Sequence, residues 1–171
     1  MVRVYIPATL AMLAQLVADG LIHARSGTAF AVTPTLRESY AEGDDDELAE
    51  VALREAALAS LRLLAMEGEA APGETPLPPR RAVLVVDVVD ATARPDLDDA
   101  VVRLAGPVPL ADVVAAYVDN AAAQPAVLTA VAVVDEADLG DEDAELAVGD
   151  AQDHDLAWYA PQELPFLLEL L

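Results

Sequence analysis

Cysteine does not occur anywhere in the 171-residue sequence. Its absence excludes disulfide bonds, thiolate catalysis and cysteine-ligated zinc, and it is typical of proteins from a reducing cytoplasm. Lysine is absent as well, so all nine basic residues are arginine. Without lysine the chain can form neither a Walker A phosphate loop nor a Schiff base.

Long apolar runs are also lacking, since none approaches the roughly 18 residues of a membrane span. Leu10–Ala18 comes nearest to the apolar region of a signal peptide. Gln15 interrupts this run, and Asp19 and Gly20 follow where a signal peptide has small residues. We therefore expect a cytoplasmic protein whose chain starts with a strand.

Basic charge is scarce relative to acidic charge, with 31 acids against nine bases and a net charge of −22. Nucleic acids and anionic membrane surfaces are therefore not expected as partners, because both are bound through basic faces. The charge fits two other interpretations. It keeps an apolar-rich chain soluble, or it makes the protein an acidic decoy that binds a basic partner.

Apolar residues make up 55 % of the chain, which predicts a folded domain with a substantial core. The length fits a single domain, residues 1–171. An apolar content this high also leaves room for a surface that contacts a second copy or another protein. A homodimer or a protein partner is therefore one expectation from composition.

A short β-branched run, Ala82–Val86, follows a proline-rich segment and predicts a strand buried on both faces. We expect the strand at Ala82–Val88 to be central, with Val101–Leu104 as its hairpin partner. The strand and helix signals together predict an α+β fold, with helices packed on a mixed sheet of five or six strands. Their alternation leaves an α/β fold with a largely parallel sheet as the alternative.

A long helix is predicted at Glu47–Met66, with Asp44 as its N-cap. The segment 68–80 contains four prolines and two glycines and is expected to be an exposed connection. Pro125 is costly inside a helix but tolerated in its first turn, so a helix capped by Asp119 or Asn120 is expected there. The acid-rich stretch 135–155 is predicted to be a solvated loop.

The usual catalytic motifs are missing: there is no glycine-rich nucleotide loop and no Gly-x-Ser-x-Gly. One cluster near the C-terminus combines acids with a histidine, and its members are Asp150, Asp153, His154 and Glu163. These side chains could form a carboxylate–histidine acid/base pair. Asp150, Asp153 and His154 could instead bind a divalent metal.

A purely structural interpretation of the same cluster is favoured over both. The aspartates can form Asx turns, and His154 can cap the strand that follows. One histidine beside carboxylates also falls short of the ligand set of most metal sites. No cofactor is therefore predicted beyond that divalent metal.

Three segments carry a resemblance to a known family: Arg3–Pro7, Gly27–Pro34 and Val148–Pro165. They resemble an uncharacterised family of short, acidic actinobacterial proteins, a domain of unknown function, over almost the whole chain. The resemblance implies a bacterial, cytoplasmic, single-domain protein and transfers no activity and no catalytic residues.

Three functions remain open at this point. The missing catalytic motifs favour a non-enzymatic binding or regulatory domain. The C-terminal cluster would support a hydrolase or transferase, with or without a metal. The net charge would support an acidic decoy for a basic protein.

Overall fold

The fold is taken from a computed structural model that describes residues 1–68 and 71–171. The strands are β1 (Val2–Ala8), β2 (Leu21–Ile22), β3 (Thr28–Phe30), β4 (Ala82–Val88), β5 (Ala91–Ala93), β6 (Val101–Leu104), β7 (Val108–Pro109), β8 (Val113–Val118) and β9 (Ala157–Tyr159). The helices are α1 (Leu10–Asp19), α2 (Pro34–Ser39), α3 (Asp45–Glu67), α4 (Gln124–Asp138), α5 (Glu142–Gln152) and α6 (Leu164–Glu169).

Seven strands form one sheet in the order β5-β6-β3-β1-β4-β8-β9, and β2 pairs with β7 in a separate ribbon. Neighbouring strands of the large sheet are antiparallel throughout. The predicted α+β class is confirmed. The mixed sheet of five or six strands and the largely parallel alternative are both corrected, because strand direction is set by long connections that apolar patterning does not reveal.

Strand β4 lies inside the sheet, between β1 and β8. Ala82, Leu84 and Val86 enter the core on one face, whereas Val83 and Val85 enter the core on the other. The predicted burial on both faces is therefore confirmed. β1 rather than β4 occupies the middle position of the sheet.

The hairpin predicted between β4 and residues 101–104 is wrong. β6 pairs with β5 and β3 instead. β4 finds its partners far away in sequence, and its register with β1 runs over seven residue pairs from Val2↔Val88 to Ala8↔Ala82. Two apolar strands that are each buried on both faces match each other better than β6, whose last two residues are only half-buried.

The two faces of the sheet carry different helices. Leucines of α1 and α6 share one core with β4, namely Leu10, Leu13, Leu164 and Leu167. α3 covers the opposite face with Leu48 and a row of small residues that lets the helix approach the strands closely. At its start, Asp44 accepts a hydrogen bond from the Glu47 N–H over 2.9 Å, as an N-cap should.

The prediction of a solvated loop at 135–155 is wrong, because most of this stretch is helical. α4 continues to Asp138, and α5 occupies Glu142–Gln152. Asp141 caps α5 through the Ala144 N–H, and the first turn carries three acids, where the helix dipole favours them. Acid-rich sequence was mistaken for a loop because the buried face of α5 consists of alanines rather than large apolar residues.

The proline-rich connection falls between α3 and β4. Residues 71–80 form neither helix nor strand and are largely exposed. Residues 69 and 70 of the predicted segment lie outside the described residues. No helix within the described ranges is long and apolar enough to cross a membrane.

Ser60 of α3 links the helix to the adjacent strands β1 and β4. Its buried hydroxyl donates to the Ala8 carbonyl over 2.7 Å and accepts from the Ala82 N–H over 3.1 Å. Ala8 and Ala82 are register partners, so a single hydroxyl serves both strands at their junction.

We expect Ser60→Ala to lower the free energy of unfolding by about 1–3 kcal/mol, because it leaves buried backbone groups without a partner. Urea unfolding of the variant and of Ser39→Ala, whose hydroxyl lies on the surface, measures the difference. Equal effects of the two substitutions would contradict the bridging role of Ser60.

Candidate functional site

A cleft of about 490 Å³ lies between the first half of α3 and the sheet. Its floor is formed by residues of β1 and β8, and the segment 152–156 closes one end. The polar side chains of the lining are Tyr5, Asp46, Glu50, Arg54, Arg81, Tyr117, Gln152, His154 and Asp155. The volume lies within the range of small-molecule sites.

Two tyrosines in the cleft flank β4 from opposite sides. Tyr5 of β1 pairs with Val85, and Tyr117 of β8 pairs with Val83. Both valines are buried on the face covered by α3. The antiparallel register therefore brings two phenols to one side of the sheet, although they are more than a hundred residues apart in sequence.

Tyr5 is only 9 % exposed, but its hydroxyl opens to the cleft, and it forms no hydrogen bond within residues 1–68 and 71–171. Burial raises the pKa of this phenol, and the nearby Tyr117, Asp46 and Asp87 raise it further against the opposing charge of Arg3. Like any tyrosine, Tyr5 is neutral at physiological pH, so its hydroxyl retains one donor and its acceptor lone pairs.

The raised pKa of Tyr5 predicts a loss of stability in alkali. Unfolded tyrosine ionises near pH 10, below the folded Tyr5, so stability is full below about pH 10 and declines above it. We expect Tyr5→Phe to flatten this decline. Urea midpoints between about pH 9 and about pH 11 test it, with Tyr40→Phe as the exposed control. An unchanged slope in Tyr5→Phe would contradict the assignment.

One wall of the cleft rests on a buried ion pair between Arg81 and Asp119. Their side chains are 1 % and 0 % exposed. The guanidinium donates from Nη2 to Oδ1 over 2.8 Å and from Nε to Oδ2 over 2.9 Å. The Arg81 backbone N–H adds a bond to Oδ2, and the Asp119 N–H donates to the Arg81 carbonyl. The pair thereby fastens the start of β4 to the end of β8.

The same guanidinium holds the segment that closes the cleft. Its Nη1 donates to the Gln152 side-chain oxygen over 3.0 Å, and its Nη2 donates to the His154 carbonyl over 2.7 Å. Gln152 ends α5, and His154 leads into β9. A single arginine therefore ties two strands, a helix end and the cleft wall together, and its fork geometry makes this possible.

Replacing only one partner of the Arg81–Asp119 pair is expected to destabilise the fold strongly. Asp119→Ala leaves a buried guanidinium without its charge partner and should lower the free energy of unfolding by about 3–5 kcal/mol. The double variant Arg81→Met/Asp119→Leu buries no charge and should lose less. Urea unfolding of both proteins measures the two values. A double variant less stable than Asp119→Ala would contradict this account.

The C-terminal cluster predicted from sequence is only partly gathered at the cleft. His154 lines it, whereas Asp150 and Asp153 are exposed and take no part in the cleft lining. The Glu163 carboxylate accepts a hydrogen bond from the Ala160 N–H over 2.9 Å and so holds the turn before α6. No hydrogen bond in the described part of the chain joins any two of these four side chains.

The sequence suggested that Asp150, Asp153 and His154 could bind a divalent metal. Across residues 1–68 and 71–171, no three histidine, aspartate or glutamate side chains are arranged to hold a metal ion. Trp158, which belongs to the same stretch of sequence, lies 57 % exposed on the edge strand β9.

Sequence reasoning missed most of the cleft. Asp119 was assigned as a helix cap, but its carboxylate binds Arg81 instead. Tyr5 and Tyr117 gave no local signal, because their proximity depends on the pairing of three strands. Glu50 lies in the helix predicted at Glu47–Met66, and Asp46 directly precedes that range although α3 begins at Asp45. The cleft that these two residues line could not be inferred. Two arginines, Arg80 and Arg81, directly before an apolar strand were the one available signal.

The fold and the cleft together define a class: an α+β protein with a seven-stranded antiparallel sheet and a ligand-sized cleft under one helix. The chain matches the family described as "Family of unknown function (DUF6912)" over residues 2–168, and it belongs to that family. The resemblance to a domain of unknown function is thereby confirmed, whereas the actinobacterial origin stays a prediction. Neither a curated protein nor a solved structure matches the chain.

Proposed function

We propose that this protein is a cytoplasmic, non-enzymatic binding or regulatory domain and that the cleft under α3 holds its ligand. The observation that carries the proposal is Tyr5, whose ring is almost fully buried while its hydroxyl lines the cleft and forms no hydrogen bond in the described part of the chain. A phenol held in place by a buried ring, with its donor and acceptor sites open to the cleft, can bind a polar group of a ligand.

The composition of the cleft supports binding rather than reaction chemistry. Ligand sites combine apolar walls with a few polar groups that fix orientation, and here Ala49, Leu53 and Leu156 alternate with phenols and carboxylates. His154 is the one cluster member in the lining, and its carbonyl is held by Arg81. No contact among the described residues supports a hydrolase or transferase that uses Asp150, Asp153, His154 and Glu163. The acidic-decoy function has no supporting contact in the described residues either.

The cytoplasmic location is supported by the absence of cysteine, which suits a reducing compartment. The net charge of −22 supports a function apart from nucleic acid and anionic membranes. A protein partner or a second copy remains compatible with the proposal, because the cleft is formed within one chain.

Filling the cleft tests this function. Ala49 is a half-buried residue of α3 in the lining, and Ala49→Trp should occupy the space that a ligand needs. Ala147→Trp is the matched control on α5, where the alanine is also half-buried but outside the cleft. Ligand-observed NMR with a library of cationic, neutral and anionic fragments provides the measurement.

We expect fragments that bind the wild type and Ala147→Trp to lose binding in Ala49→Trp. A ligand at about 100 times its Kd should also raise the stability of the wild type by about 2.7 kcal/mol. Fragments that bind Ala49→Trp as well as they bind the wild type would contradict the proposal, and so would a library without a single binder.

A further inference from the structure

Three exposed carboxylates line the cleft. Asp46 and Glu50 lie four residues apart on α3, so two negative charges are neighbours on one helix face. Asp155 adds a third from the opposite wall. None of the three forms an ion pair within the described ranges, whereas the adjacent Asp45 contacts Arg37 at 2.6 Å.

The arginines of the cleft do not neutralise these three carboxylates. The Arg81 guanidinium is neutralised by Asp119. Arg54, an exposed residue one turn beyond Glu50, makes no ion pair with it in residues 1–68 and 71–171. Three carboxylates against one guanidinium leave the cleft negative, inside a protein that is itself strongly negative. Anionic ligands are therefore disfavoured both at long range and on contact.

The two phenols give the negative cleft a second feature suited to cations. Tyr117 is half-buried and lines the cleft, and aromatic rings attract ammonium and guanidinium groups. Tyr5 is nine-tenths buried, and its hydroxyl, which lines the cleft and forms no hydrogen bond within the described residues, can accept one from a ligand. This observation is independent of the acidic residues.

We propose that the cleft binds a small organic cation, with an ammonium or guanidinium group between Glu50 and Tyr5 and an apolar body against Ala49 and Leu53. The inference rests on the proposed function and adds the class of ligand. A small molecule is the source rather than a side chain of a partner protein, because a cleft of about 490 Å³ suits a whole small ligand.

Isothermal titration calorimetry with four probes tests the ligand class. Phenethylamine and agmatine carry the two cationic groups, 2-phenylethanol is the neutral counterpart of phenethylamine, and 3-phenylpropanoate is the anionic one. The titrations are run at about 0.15 M salt, where the Debye length is about 8 Å and long-range attraction is largely screened. A short arginine-containing peptide serves as the partner-protein probe.

We expect phenethylamine or agmatine to bind more tightly than the neutral and anionic probes. Glu50→Gln should weaken that binding about tenfold or more, because a charge-assisted contact is lost. Glu145→Gln, which removes the same charge from an exposed position of α5 outside the cleft, should leave the affinity unchanged. Tyr5→Phe keeps the ring and should weaken binding through the lost hydroxyl alone.

Several results would overturn the inference. Equal affinity for phenethylamine and 2-phenylethanol would remove the role of the cation. Equal losses of affinity in Glu50→Gln and Glu145→Gln would mean that binding depends only on the net charge of the protein. Binding of the peptide without either amine would exclude a small-molecule ligand. Tighter binding of the neutral or anionic probe, abolished by Ala49→Trp, would overturn the ligand class while leaving the cleft as a binding site.

Discussion

The buried contact between Arg81 and Asp119 is the interaction on which the rest of the structure depends. It lies where β4 begins and β8 ends, and it excludes water almost completely. Buried ion pairs are rarely a net source of stability, because desolvation offsets most of the attraction. Their value is specificity of arrangement: here the guanidinium satisfies Asp119, Gln152 and the His154 carbonyl at once, and few alternative packings could do so.

This constraint links the core to the cleft. The sheet brings Tyr5 and Tyr117 to one face through the register of β1, β4 and β8. Helix α3 covers that face with small residues and contributes Asp46 and Glu50 to the cleft lining. Arg81 binds the segment after α5, which lines the same cleft. The proposed binding site is thus formed by contacts that also hold the fold together.

Much of the fold could be predicted because its signals are local. The β-branched run at β4, the Asp44 cap and the proline in the first turn of α4 each follow from the chemistry of a few neighbouring residues. Strand direction, the partner of β4 and the helix α5 could not be predicted, since they depend on long-range pairing or on a buried face made of alanines. Most of the candidate site falls into the second category: Asp119 resembles a helix cap in sequence, and only the folded chain shows it against Arg81.

Hydrogen exchange of the wild type and Asp119→Asn tests most directly whether this ion pair holds the cleft wall. The Asp153 and His154 amides are bonded to the Gly149 and Ala151 carbonyls, so they report on the closing segment, while the paired amides of β1 report on the sheet. We predict much faster exchange at residues 153 and 154 in the variant, with β1 retaining more protection. Unchanged exchange in the closing segment, or an equal loss across the sheet, would contradict the account.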